Sequence, residues 1–405
     1  MKILLLNQYF PPDTSATAKV AASVANAISR RHDVTVLAGR PSYDPDEHYP
    51  FSFHRREQRD GITVERVGST AYPRHRMLRR VANYLSYVSL AVPRALAMKA
   101  DLVLAMTDPP FAGIVGAMIA RMKGVPFVYN IRDLYPDMAI GGDIVQPRGW
   151  VTLWEKLHRA ALRQASRIIV LGEDMRERVV SKGIDPARVI VVRDGTSVPA
   201  PVVPPDHPVI REIRGAAEFV VLHAGNLGFY GAWPTLLSAA KILPRNGIRL
   251  VFIGDGANRQ ELEESNQGCP NVRFLPFRPA EEIPCVMAAG DVHVVTIRRG
   301  LGGVVVPSKL YSILAAGRPV LAVAPEDTDV ARIVLREDCG IVVDPDKPAD
   351  VAEAIQTLKD NPARLEAMGR RARKAAEKYA RTSELEKFVD VVEQAAHSRV
   401  AQGRS

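Results

Sequence analysis

Cysteine is scarce. Cys269, Cys285 and Cys339 are the three in 405 residues, and their spacing matches no zinc pattern, which argues against a disulfide framework or a structural metal and fits a reducing cytoplasm. Long apolar runs are also missing: Pro93 and Arg94 break one candidate, and Asp108, Pro109 and Pro110 break another. Neither reaches the roughly 18 residues of a membrane span. The apolar core of Met1 to Asn7 is too short for a secretory signal and reads as a first strand. Among the histidines, His54, His75 and His223 draw notice, yet none sits at metal-ligand spacing. No repeat of solenoid period is present.

What remains is the composition of a soluble globular protein, 47% hydrophobic and 24% charged, long enough for two large domains or three small ones. The net charge is +9. The excess concentrates in residues 54–80, where eight Arg face three acids. Such a patch can attract nucleic acid, an anionic membrane or a phosphate-bearing substrate, and charge alone does not choose. Short apolar runs at 3–6, 33–37, 62–67, 102–105, 127–131, 167–170 and 189–192 alternate with helical patterns, which signals a parallel α/β sheet. Five Pro between 199 and 208 mark a linker. The alternation then restarts at 219–223, 248–253, 272–275, 292–296, 319–323 and 340–343. The expected fold class is therefore α/β, with two Rossmann-like doubly wound domains facing a cleft: a first domain over 1–198, a linker over 199–210, a second domain over 211–380, and a helical tail over 381–405 that could pack back on the first. Ligands of open α/β sheets sit at the carboxyl ends of the strands.

The strongest chemical signal is the run from Gly300 to Val320. Gly302 and Gly303 lead into a helix with Ser308 as its expected N-cap, and Gly317 followed by Pro319 ends it. Loop amides and the helix dipole there can hold a diphosphate, with Lys309 adding a point charge. A lone Gly-rich loop is more often an ordinary turn, so the surrounding motifs decide.

The segments Pro307-Ser308-Lys309-Leu310-Tyr311 and Ala316-Gly317-Arg318-Pro319-Val320 resemble the donor-site helix of the retaining, family 4-like nucleotide-sugar glycosyltransferases with the GT-B fold. The resemblance is to the branch that builds bacterial surface polysaccharides of the colanic acid and O-antigen type. Tyr9-Phe10-Pro11-Pro12, Arg132-Asp133-Leu134-Tyr135-Pro136-Asp137, Ala224-Gly225-Asn226-Leu227-Gly228 and Val251-Phe252-Ile253-Gly254-Asp255-Gly256 support it in family order. The resemblance implies transfer of a sugar from a nucleoside diphosphate, expected to be UDP, to a lipid-linked or polysaccharide-precursor acceptor with retention. No metal or other cofactor is implied, because loop donors and a helix dipole can stabilise the departing diphosphate.

It also implies site residues. Ser15 stands where relatives have a glycine near the donor diphosphate, and it reads equally as a helix cap. Behind Gly225, Asn226 and Phe229-Tyr230-Gly231 stand where relatives place a cationic clamp on the donor, for which Lys309, Arg298 and Arg299 are the nearest replacements. Val304 and Ser312 replace the family's paired glutamates, which normally grip sugar and ribose. Gly254 and Asp255 line the nucleotide pocket, and Phe277 and Arg278 present backbone to the base. Asp133 and Arg132 are the expected catalytic pair, Arg132 steadying a leaving phosphate. The cations Arg74, Arg76, Arg79 and Arg80 before an apolar helix are consistent with an anionic membrane surface, each worth about 1 kcal/mol there, and with a peripheral place on the inner face of the plasma membrane. A nucleic-acid partner is not expected. Two alternatives stay open: a nucleotide-sugar epimerase of the same fold, and a non-catalytic nucleotide-sugar-binding subunit.

Overall fold

The computed structural model describes the chain except residues 43–48, 73–76, 147, 198–201, 245–246, 267 and 403–405, with residues 77 and 398–402 described by backbone alone. Arg74, Arg76 and His75 therefore lie outside the described residues. The chain divides into two compact units.

The first unit comprises residues 1–171, 176–192 and 385–405. Its strands, eight among the described residues, are β1 (Lys2–Leu6), β2 (Asp33–Gly39), β3 (His54–Arg59), β4 (Ile62–Val67), β5 (Leu102–Ala105), β6 (Phe127–Asn130), β7 (Arg167–Val170) and β8 (Val189–Val191). They lie in the order β3-β4-β2-β1-β5-β6-β7-β8. All neighbours pair in parallel except β3, which runs antiparallel to β4. Runs such as Leu102–Ala105 and Phe127–Asn130 are buried at every position, as expected of parallel strands covered on both faces. The helix Ala16–Ser29 turns Ala21, Val24, Ala25 and Ile28 into a core that also takes Phe388, Val389, Val392 and Ala395 of the C-terminal helix. Most of the tail thus belongs to this unit.

The second unit comprises residues 172–175 and 193–384. Its strands β9 (Phe219–Ala224), β10 (Ile248–Ile253), β11 (Val272–Leu275), β12 (Val292–Thr296), β13 (Val320–Val323) and β14 (Gly340–Val343) lie in the order β11-β10-β9-β12-β13-β14. All of them pair in parallel. Trp233, Leu236, Phe252 and Val294 sit in its core.

The structure corrects the sequence reading at two boundaries. The units divide between Val192 and Arg193 rather than at 198, and a helix, Pro208–Arg214, begins inside the expected linker, with His207 capping it and Pro at its first turn. Strand β3 was not foreseen because His-Arg-Arg-Glu-Gln-Arg contains no apolar residue. It is an edge strand, exposed at all but one position, and charge is how such edges avoid pairing with other chains.

Candidate functional site

In the second unit the exits of β9 and β10 interlock. The Gly225 amide donates to the Ile253 carbonyl at 2.8 Å, and the Leu227 amide donates to the Asp255 carbonyl at 2.8 Å. Gly254 has φ +137°, and a Cβ there would lie 2.1 Å from the Gly225 carbonyl oxygen. One on Gly256 would lie 2.4 Å from Asn226 Oδ1. Glycine is required at 254 by conformation and by space together. Arg259 donates to the carbonyls of Gly254 and Leu275 and so ties β10 to β11.

Lys309 reaches this place from the first turn of the helix Lys309–Ala315. Its ammonium donates to Nε2 of His223 at 2.9 Å, and a Cβ on Gly225 would lie 3.1 Å from Nζ. His223 is buried at the end of β9, edge-on to the Trp233 ring at 4.8 Å. Burial, then the neighbouring Lys309 charge, hold its imidazole well below the ordinary value. The ring is therefore a neutral acceptor for Lys309. Burial also pushes the Lys309 ammonium down to about 7. Among the described residues no carboxylate lies within ion-pair distance of it. Sequence reasoning marked Lys309 and His223 separately; the pairing across 86 positions has no sequence signal.

In the glycine-rich loop the Gly303 amide is already engaged. The Gly303 N–H donates to Asp174 Oδ2 at 3.1 Å, and the Asp329 N–H donates to the same oxygen at 3.0 Å. A carboxylate of the chain itself fills that nest. Asp329 is in turn paired with Arg193 at 2.9 Å. Val304 is fully buried, so its side chain belongs to the core and not to a ligand surface. Ser308 has helical backbone and makes no side-chain cap, while Ser312 is half-buried. Arg299 is committed to Asp344 and Asp346, which removes it from the expected clamp, whereas Arg298 sits at the end of β12 with its amide donating to the Tyr230 carbonyl at 2.7 Å. Arg278 is ion-paired with Glu212 and Glu282, and Phe277 beside it is 72% exposed. Asp255 accepts from the Gly256 amide at 2.8 Å.

In the first unit three turns follow adjacent strands. Pro11–Pro12, Asp108–Pro109 and Tyr135–Pro136 are cis peptides beyond the carboxyl ends of β1, β5 and β6. Arg132 and Asp133 are half-buried there, and the Arg132 amide donates to Thr107 Oγ1 at 3.3 Å. Burial first, then the Asp133 and Asp108 charges, push the Tyr135 phenol well above its ordinary value, with Arg80 opposing. Tyr135 stacks on Trp154, and Trp154 on Trp150, each pair at 5.8 Å. Arg80 donates from Nε to the Tyr84 hydroxyl at 2.5 Å. Ser15 is buried and its Oγ accepts from the Ala18 amide at 3.0 Å, so its hydroxyl serves as a helix cap. Among the described residues no group of three His, Cys, Asp or Glu is placed to hold a metal.

Comparison with known proteins is consistent across the chain. The family described as "Glycosyl transferase 4-like domain" matches residues 15–195, and "Glycosyl transferases group 1" matches residues 218–361. The chain is 26% identical over 270 residues to the probable glycosyltransferase WbjE of Pseudomonas aeruginosa, covering 65% of this chain and 67% of that one. It is 23% identical over 349 residues to the putative colanic acid biosynthesis glycosyl transferase WcaI of Escherichia coli, covering 82% and 86%. Among solved structures, Anabaena HepE in complex with UDP superposes with a TM-score of 0.69 at 19% identity over 97% of this chain and 100% of that one. WaaG, a glycosyltransferase involved in lipopolysaccharide biosynthesis, gives 0.68 at 18% identity over 97% and 99%. With the two family domains matched in order over most of its length, and both units built on parallel sheets as in those structures, the chain is a GT-B protein that belongs to the group 1, 4-like glycosyltransferases.

Proposed function

We propose that the chain transfers a sugar from a nucleoside diphosphate, a uridine nucleotide, to a lipid-linked saccharide with retention at the anomeric carbon, in surface polysaccharide synthesis. The observation that carries the donor half is Lys309, a cation without a carboxylate partner among the described residues, held by His223 beside the glycine exits of β9 and β10. An ammonium so placed attracts a diphosphate and stabilises the charge that grows on it as the sugar departs. HepE, which shares the fold, was solved with UDP and with UDP-glucose, and the relatives WbjE and WcaI favour a surface-polysaccharide role.

In the proposed step the bond from the anomeric carbon to the phosphate oxygen breaks. The acceptor hydroxyl forms its bond on the same face, and the hydroxyl proton passes to the departing phosphate oxygen. No protein base is needed for that transfer. Asp133, at the carboxyl end of β6, is the group we assign to orienting the acceptor hydroxyl, with Arg132 beside it for the phosphate.

The acceptor half draws support from the helices covering one face of the first sheet. Met77–Ala97 buries Tyr84, Tyr87, Ala91 and Ala95 yet leaves Leu78, Val81 and Leu85 exposed. Trp150–Gln164, which like Met77–Ala97 packs on the helix Ala112–Lys123, leaves Trp150, Leu153 and Leu157 exposed. Exposed apolar residues beside cations such as Arg79 and Lys156 suit an anionic membrane interface, and no described helix is long and apolar enough to cross a membrane. The test is release of nucleoside diphosphate from a panel of donors, with and without a membrane extract that contains acceptor. Release from one donor that requires the extract supports the proposal; release from none overturns it, and conversion of donor with no extract present would make the protein an epimerase.

A further inference from the structure

The basic run at residues 54–80 resolves into two parts. Its helical cations adjoin the apolar face described above, but those of β3 face elsewhere. Side chains alternate along a strand, so Arg55, Glu57 and Arg59 share one face of β3, while His54 and Arg56 share the other and meet Glu65. The first face lines a cavity of about 380 Å³, completed by Arg40 beyond β2, Arg66 at the end of β4, and Pro12 beyond β1. Four arginines and one glutamate therefore line it, Arg55 and Arg66 at the carboxyl end of the first sheet and Arg59 opposite Ile62 at the start of β4.

Their charges are not balanced within the described structure. Glu57 is taken by Arg66 at 2.8 Å. Arg66 is buried and also donates to the carbonyls of Gly39 and Pro11, which joins β2 and the loop after β1 into the pocket wall. Arg40, Arg55 and Arg59 have no carboxylate within ion-pair distance among the described residues, and Nε of Arg40 is buried without a hydrogen-bond partner. In addition, Arg55 and Arg66 are direct cross-strand partners in the β3–β4 register. Like charges directly opposite cost stability, and an anion between them removes that cost.

We propose that Arg40, Arg55 and Arg59, backed by Arg66, bind a phosphate or diphosphate group of the acceptor. Guanidinium forks grip such oxygens bidentately. The assignment rests on the reading of the chain as a transferase with a phosphate-bearing acceptor, and it places acceptor recognition on side chains of the first unit alone.

The probe is inorganic pyrophosphate, titrated by calorimetry into protein saturated with UDP so that the Lys309 site is occupied. If UDP does not bind, the Lys309→Ala variant replaces the UDP-loaded protein, and failure of the donor reading stays separate from failure of this one. Pyrophosphate should bind the wild type, weaken about tenfold or more in the Arg55→Gln, Arg59→Gln double variant, and tighten in Glu57→Gln, which removes the one acid among the pocket's described residues. UDP affinity should be unchanged in both variants. Absence of pyrophosphate binding, or equal binding by the double variant, overturns the proposal. So does binding that emerges only when Asp44, Asp46 and Glu47 are neutralised, because the chain would then supply its own anion. In a second arm, phosphatidylglycerol vesicles replace pyrophosphate. Retention that depends on Arg55 and Arg59, with no effect on pyrophosphate, would make the patch a membrane contact and not an acceptor pocket.

Discussion

Donor affinity should depend on pH through Lys309, and the size of the effect follows from its surroundings. Burial holds the free ammonium at about 7, and the groups facing it do not titrate in the same range. His223 on β9 lies well below its ordinary value, through burial and Lys309. His293 on β12, electrostatically coupled to Lys309, is held at about 4 by burial despite its bond to the Met287 carbonyl, with Arg318 beyond it. A bound diphosphate restores the charged form and pulls the ammonium back up. If only the charged form grips the diphosphate, the free protein is about half competent at pH 7 and about one-tenth competent at pH 8. The Kd for UDP should therefore rise roughly fivefold from pH 7 to pH 8, and roughly tenfold, about 1.4 kcal/mol, over the next unit. Binding at pH 8 should take up nearly one proton.

The sign for folding is opposite. The folded Lys309 lies below its unfolded value, so the unfolded chain binds more protons between about 7 and the ordinary lysine range. The unliganded second unit gains stability as pH rises through that window. Calorimetry with UDP in buffers of different ionisation enthalpy, from pH 6.5 to 9, measures affinity and proton uptake together. Lys309→Met should bind more weakly and lose the slope above pH 7, and Lys309→Arg should lose the slope while keeping the charge. A Kd for the wild type that is flat between pH 7 and 9, or a slope that survives in Lys309→Met, refutes the reasoning.

Asp133→Asn keeps the shape of the side chain, and turnover should fall by a factor of at least about ten while UDP affinity holds, a split that steady-state kinetics and calorimetry resolve. Gly254→Ala forces a Cβ against the Gly225 carbonyl, and chemical unfolding should show a loss of more than about 2 kcal/mol, whereas Gly300→Ala, with open space around its Cβ, should cost only about 1 kcal/mol for its positive φ. Asp329→Ala strands the buried Arg193 guanidinium and should cost about 3 to 5 kcal/mol by the same measurement.

The fold was legible because, β3 apart, both sheets consist of parallel strands whose burial on two faces leaves continuous apolar runs, such as Leu102–Ala105 and Val292–Thr296. Where burial does not set the sequence, the signal fails. Strand β3 is held by its ladder with β4 and not by a core, so its six polar residues read as loop. The linker was placed by proline content, but Pro208 opens a helix there, a position that suits proline as well as a turn does. The division after Val192 has no compositional mark, since it is set by where each segment packs.

The candidate site was legible as an inventory of donors and not as an arrangement of them. A glycine-rich loop in a sequence advertises free amides, and a cation in a helical first turn advertises charge. Whether either is available depends on what the rest of the chain brings to it. At Gly303 the chain brings Asp174 from 129 positions away, and the amide is spent. At Lys309 it brings His223, which can accept a hydrogen bond but, held neutral, cannot cancel the charge. The same helix region that looked like one phosphate cradle thus separates into a satisfied structural nest and an unsatisfied cation. The second of these is the better place to look for a ligand, because a partly desolvated charge without a counter-ion costs free energy that a bound anion recovers.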